Sequence, residues 1–99
     1  MAKGYWIAHV DVDDMDAYKN YIAANAAPFA EYGARFLVRG GEQDVREGTA
    51  RQRTVVLEFD SYEQALACYE SAGYRAAKAI RDPVSTGDLV IVRGYDEQT

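Results

Sequence analysis

Tyr5-Trp6-Ile7-Ala8-His9-Val10-Asp11-Val12 is a stretch in which every second residue, Trp6, Ala8, Val10 and Val12, is apolar, while the residues between run from apolar to charged. Successive side chains of a strand point to opposite faces, so the alternation predicts a strand with one face in a core and the other mixed. Three further stretches, around 34–40, 54–60 and 89–95, read the same way. Their predicted core sets are Ala34, Phe36 and Val38, then Val55, Leu57 and Phe59, then Val90 and Val92. The mixed sets are Tyr5, Ile7 and His9, then Arg35, Leu37 and Arg39, then Val56 and Glu58, then Leu89, Ile91 and Arg93. Such a face is too apolar for water and too charged for a plain core, which predicts a pocket wall or a protein interface.

Between the first two strands, Met15, Tyr18, Ile22, Asn25, Phe29 and Tyr32 recur at steps of three and four, the period of a helix face. Asp13 is the expected N-cap, Asp14 and Asp16 suit the N-terminal dipole, and Gly33 suits a left-handed ending. Pro28 lies inside this pattern and predicts a kink. Gly40-Gly41 and Glu47-Gly48 punctuate a long hairpin between strands two and three. Ser61-Tyr62-Glu63-Gln64 reads as a capping box opening a second helix, with Tyr62, Ala65, Leu66 and Tyr69 on its buried stripe. Ser71-Ala72-Gly73 predicts a break, after which Tyr74, Ala77 and Ile80 carry a further helical segment closed by Asp82-Pro83.

The order is βαββαβ over one domain, residues 1–99, an α+β arrangement of ferredoxin-like type with a four-stranded antiparallel sheet and both helical segments on one face. The mixed face would then stay open, with Ile7, Leu37, Val56, Leu89 and Ile91 forming an apolar patch that monomers usually avoid. This predicts a homodimer.

The chain's 99 residues, 48% hydrophobic and 27% charged, suit a single soluble globular domain and argue against disorder. A net charge of −5 without a Lys/Arg-rich run disfavours nucleic acid and anionic membrane as partners. No run approaches transmembrane length, and no signal peptide is expected, since a strand pattern starts at Tyr5 and His9 and Asp11 interrupt any apolar run of that length. With Cys68 the lone cysteine, the expected location is the cytoplasm.

Lys3-Gly4-Tyr5-Trp6, Tyr32-Gly33, Phe36-Leu37-Val38-Arg39-Gly40-Gly41, Glu47-Gly48, Arg53, Glu58-Phe59, Ala65, Tyr69-Glu70-Ser71, Tyr74 and Arg81 together resemble the domain-of-unknown-function family numbered 1330, of the dimeric α/β barrel superfamily. The resemblance covers essentially the whole chain. It implies a ferredoxin-like protomer whose sheet pairs with a second sheet to form a dimeric α/β barrel. Cys68, where tryptophan is common in that family, and Ala72, where proline often follows the serine, depart from the pattern on helix two. The family implies no reaction. The wider superfamily holds cofactor-free monooxygenases, muconolactone isomerase-like enzymes and haem-degrading proteins, a likeness of fold alone.

The residues that can carry chemistry each have two readings. His9, the sole histidine, is either a proton-transfer group inside a pocket or a half-buried interface residue. Glu58, flanked by Val56, Leu57 and Phe59, is either a base or one half of an ion pair with Arg39 on the neighbouring strand. Arg39 is correspondingly an anion clamp for a carboxylate or enolate, or Glu58's structural partner. Asn25 either bonds the proline-kinked backbone or reaches a ligand. Tyr5 belongs to the wall of the barrel, where it either contacts a ligand or fills the space. Tyr69 and Tyr74 line a mouth or belong to the core, and Arg93 is a second clamp or a solvated strand end. Arg53 and Glu47 read as a surface ion pair. Asp11, Asp13, Asp14 and Asp16 lack the spacing of a calcium loop, zinc ligands are too few, and no phosphate-binding glycine loop is present, so neither metal nor cofactor is expected. The resulting expectation is a small-molecule-binding barrel for an anionic or aromatic compound, catalysing cofactor-independent proton transfer or oxygenation; the alternative is a non-catalytic binding or assembly module.

Overall fold

The computed structural model describes residues 2–96. Strand β1 (Gly4–Val12) leads into helix α1 (Met15–Glu31), strands β2 (Arg35–Arg39) and β3 (Arg53–Phe59), helices α2 (Tyr62–Glu70) and α3 (Ala72–Arg81), a 3-10 turn at Asp82–Val84, and strand β4 (Ser85–Arg93). The strands form one antiparallel sheet in the order β2-β3-β1-β4. This is the ferredoxin-like α+β arrangement that the alternation predicts. No helix among the described residues is long and apolar enough to cross a membrane.

The core lies between the sheet and the helices. Trp6, Ala8 and Val10 of β1 and Leu57 and Phe59 of β3 pack against Tyr18, Tyr21 and Phe29 of α1, Ala65 and Cys68 of α2, and Tyr74 and Ala77 of α3. Trp6 sits at its centre: Nε1 donates to the Ala65 carbonyl at 2.9 Å, and its ring meets Phe29, Phe59, Tyr69 and Tyr74 at centroid distances of 4.8 to 5.7 Å. The pairs with Phe29, Tyr69 and Tyr74 are edge-to-face, a geometry that fixes ring orientation beyond what area burial supplies. Burial also pushes the Cys68 thiol up to about 12.

Helix ends follow side-chain chemistry, with adjustments. Asp14, not Asp13, caps α1 by accepting from the Ala17 N–H, while the Asp13 N–H is taken by the Val84 carbonyl. The helix continues through Pro28 to Glu31, although the proline has no N–H to give to the Ala24 carbonyl one turn back. Gly33 then takes a φ of 70°. Ser61 caps α2 through Gln64 N–H at 3.1 Å, but the Gln64 side chain donates to the Tyr32 carbonyl instead of closing the capping box, tying α2 to the end of α1. The exposed Leu66 leaves the buried stripe of α2 to Ala65 and Cys68.

Two strands differ from the predicted faces. In β2, Phe36 pairs with Leu57 but Val38 pairs with Val56, so a bulge at Leu37 inserts one residue. Arg35 therefore faces the open side beside Glu58, whereas Arg39, opposite Val55, turns to the helix side. In β4, Trp6 lies opposite Ile91 and Ile7 opposite Val90, so Leu89 and Ile91 pack on the core and Val90 and Val92 face outward. Leu89-Val90-Ile91-Val92 is aliphatic in both parities, so only the pairing with β1 sets the face.

Candidate functional site

The open sheet face carries two polar clusters. At one end the Tyr5 hydroxyl donates to Glu58 Oε2 at 2.9 Å, and Arg35 Nε donates to Glu58 Oε1 at 3.1 Å while its Nη2 meets Asp60 at 3.1 Å. The Tyr5 hydrogen bond, reinforced by Arg35, holds the Glu58 carboxyl below the usual carboxylate range. The expected Glu58–Arg39 pair is not formed, because the Leu37 bulge sends Arg39 to the other face. At the other end, Arg51 bridges Asp11 at 2.8 Å and Asp88 at 3.0 Å over an open depression that His9 also lines. There the Gln43 amide N–H is taken by the Arg51 carbonyl, so its oxygen accepts from the Thr54 hydroxyl, which in turn accepts from His9 Nδ1–H at 3.2 Å. His9 is thereby held in one tautomer by the base of the 40–52 loop.

A more enclosed space lies on the opposite face, between the sheet and α1. It contains about 430 Å³ of atom-free volume counted out to its mouth, of which about 30 Å³ is open to the centre of a water-sized sphere. Its floor is Trp6, Ala8, Val10, Val55, Leu57 and Leu89, and its roof is Tyr18, Tyr21, Ile22, Asn25 and Phe29. Into this apolar space project Arg39, Arg53 and Arg81, with no carboxylate in the lining among the described residues. Arg39 lies over the Phe36 ring at 4.1 Å and Arg53 over Tyr18 at 5.9 Å, and neither has an acidic partner within ion-pair distance among the described residues. Arg81 donates through Nη1 to the Tyr74 hydroxyl at 3.0 Å and approaches Asp82 at 3.6 Å. The Tyr74 hydroxyl also meets that of Tyr21 at 2.8 Å. Burial raises both the Tyr18 and the Tyr74 phenol, so each stays a neutral hydroxyl. Asn25 is only 4% exposed, and its Oδ1 has no hydrogen-bond partner among the described residues.

Of the residues singled out from sequence, Arg39 and Asn25 meet at this cavity, and Tyr74 stands behind it through Arg81 and Tyr21. Tyr69 packs its ring against Trp6 and Tyr74 in the core. His9, Glu58 and Tyr5 are on the other side of the sheet, and Arg93 lies over the Tyr62 ring and pairs with Glu63 at 3.2 Å. Sequence reasoning missed Tyr18, Tyr21, Arg53 and Arg81 as a group. The folded chain sets the Arg53 guanidinium against Gly40, whose φ of 71° favours glycine, a contact that nothing in the sequence marks. Among the described residues no three His, Cys, Asp or Glu side chains cluster as metal ligands would.

Solved structures share the fold. A protein of unknown function from Rhodopseudomonas palustris superposes with a TM-score of 0.76 at 14% identity, covering 96% of this chain and 84% of its own. SnoaB, a cofactor-independent oxygenase from Streptomyces nogalater, gives 0.62 at 13% identity, covering 97% of this chain and 96% of its own. A dimeric protein of unknown function and ferredoxin-like fold from Bacteroides fragilis gives 0.63 at 13%, covering 94% and 96%. No curated protein matches the chain. Its sequence does match, over residues 3–95, the domain of unknown function (DUF1330), and the chain belongs to that family.

Proposed function

We propose that this protein binds a small organic anion in the cavity between α1 and the sheet, as a homodimer closed across the open sheet face. The observation that carries the reading is the charge of the lining: Arg39, Arg53 and Arg81 surround an apolar space that no carboxylate of the described residues lines, in a chain whose net charge is −5. Arg81 already reaches Asp82, but the half-buried Arg53 and the exposed Arg39 at the rim have no acidic partner among the described residues, and an anionic ligand would supply one. Trp6, Phe29 and Leu57 would take the ligand's carbon atoms while the guanidiniums and neutral phenols take its oxygens. The dimer finds support in the outward-facing Val38, Val90 and Val92 and in the dimeric state described for the Bacteroides fragilis protein of the same fold.

A catalytic reading, cofactor-independent proton transfer or oxygenation, draws on the fold shared with SnoaB. It requires a base, and among the described residues the cavity lining has no Asp, Glu or His. The space suits a ligand that arrives already ionised, and we assign His9 and Glu58 to the dimer face. The test is a titration followed by backbone amide shifts, with acetate against neutral acetamide as probes. Acetate should bind and move residues around Asn25 and Arg53, acetamide should not, and Arg53→Gln should weaken acetate by about tenfold or more, as loss of a charge-assisted hydrogen bond does. The wild-type affinity should not vary between about pH 6 and pH 8.5, because guanidiniums and phenols keep their charge there. Equal shifts with both probes would sink the reading.

A further inference from the structure

Asn25 Oδ1 and Arg53 Nε are the buried side-chain polar atoms without a hydrogen-bond partner among the described residues, and both belong to residues that line the same cavity. Buried polar atoms are nearly always paired, so an unpaired acceptor and an unpaired donor on residues of one lining point to the complement of what occupies the space. The rest of the polar lining is rich in donors. Arg39, Arg53 and Arg81 have no acceptor atoms. The Tyr18 hydroxyl in the lining stays neutral and carries a hydrogen to donate. The occupant must therefore accept at several points and donate at Asn25. A simple carboxylate accepts only. A carboxylate with an adjacent hydroxyl does both, and the room for its interior atoms, about 30 Å³ for the centre of a water-sized sphere, is on the scale of two or three waters, which limits it to a short chain.

We propose that the ligand is a short 2-hydroxy carboxylate, its carboxylate held by the guanidiniums and its hydroxyl hydrogen donated to Asn25 Oδ1. This rests on the anion-binding reading above and narrows it to a chemical class. The alternative occupant of the Asn25 position is a water molecule, which would make the site indifferent to the hydroxyl.

The experiment titrates the full chain with glycolate and acetate, and with lactate and propionate, pairs that differ only in the 2-hydroxyl. The hydroxy acid of each pair should bind about tenfold more tightly, the effect of one added hydrogen bond to a buried, unpaired acceptor. Asn25→Ala should lower glycolate affinity about tenfold, to the level of acetate, whereas Arg53→Gln should weaken all four acids together. The wild-type comparison needs no variant and so stands even if Asn25→Ala fails to fold. Equal affinity within each pair overturns the hydroxy-acid assignment and leaves the anion site in place. No binding of any of the four overturns both.

Discussion

Glu58 engages two neighbours with its two oxygens, Oε2 taking the Tyr5 hydroxyl and Oε1 taking Arg35 Nε. Both bonds favour the ionised carboxyl, and that preference has a pH signature. A carboxylate whose folded acidity lies below its unfolded value of about 4.3 contributes stability that is complete above that value and is lost as pH falls through the folded one. Tyr5→Phe removes the larger of the two influences, so the Glu58 titration midpoint should move up toward the ordinary range in a carboxyl-detected NMR titration. Urea unfolding should show the wild type more stable than Tyr5→Phe near neutral pH, with the gap closing below the folded midpoint. An unchanged midpoint would mean that Arg35 alone sets the acidity. Arg39 should have no influence on this titration, since it stands over Phe36 on the other face of the sheet.

Ser71 shows how one residue shapes an element. Its hydroxyl donates to the Cys68 carbonyl at 2.7 Å, closing α2, and accepts from the Tyr74 N–H at 3.2 Å, opening α3. Ser71→Ala leaves a first-turn N–H and a last-turn carbonyl without this partner and should cost about 1 kcal/mol, lowering the urea midpoint by roughly 0.5 to 1 M. A loss near zero would mean that water replaces both bonds. This break was readable from Ser71-Ala72-Gly73, as were all four strands and the helices, because period-2 and period-3.6 patterns survive wherever one side of an element is polar. The faces of β2 and β4 were not readable. A bulge has no fixed sequence mark at Leu37, and β4 is aliphatic on both sides over 89–92. That limit propagated to the site. Arg39 was identified and placed on the wrong side of the sheet, Asn25 was identified through its polarity on an apolar stripe, and Arg53 and Arg81 were missed because their convergence needs tertiary placement. Side chains from α1, β2, β3 and α3 meet only after folding.

The molecule as a whole is a slab of 43 × 37 × 16 Å by its Cα atoms, with one layer of helices and one of strands. Its radius of gyration of 13.9 Å exceeds the roughly 12.6 Å expected of a compact chain this long. Part of the excess is the 40–52 loop, pinned at its base by Arg51 to Asp11 and Asp88 while residues 40–50 remain exposed. The uncovered sheet face presents Val90 at 56% exposure and Val92 at 42% on edge strand β4, and the exposed Val38 on the opposite edge strand β2, apolar surface that a second copy would dehydrate. Sedimentation equilibrium should therefore give a dimer at micromolar concentration. Val90→Asp should leave the protomer folded and raise the dissociation constant by about 100-fold or more, because the charge would be buried without a partner. Ile91→Asp provides the contrast, since Ile91 packs on the core and its substitution should unfold the protomer, seen as lost amide dispersion at any concentration. A wild type that remains monomeric, or a Val90→Asp variant that dimerises as tightly as the parent, would show that this face is not the contact. The anion cavity lies on the opposite side of the sheet and would keep its own test.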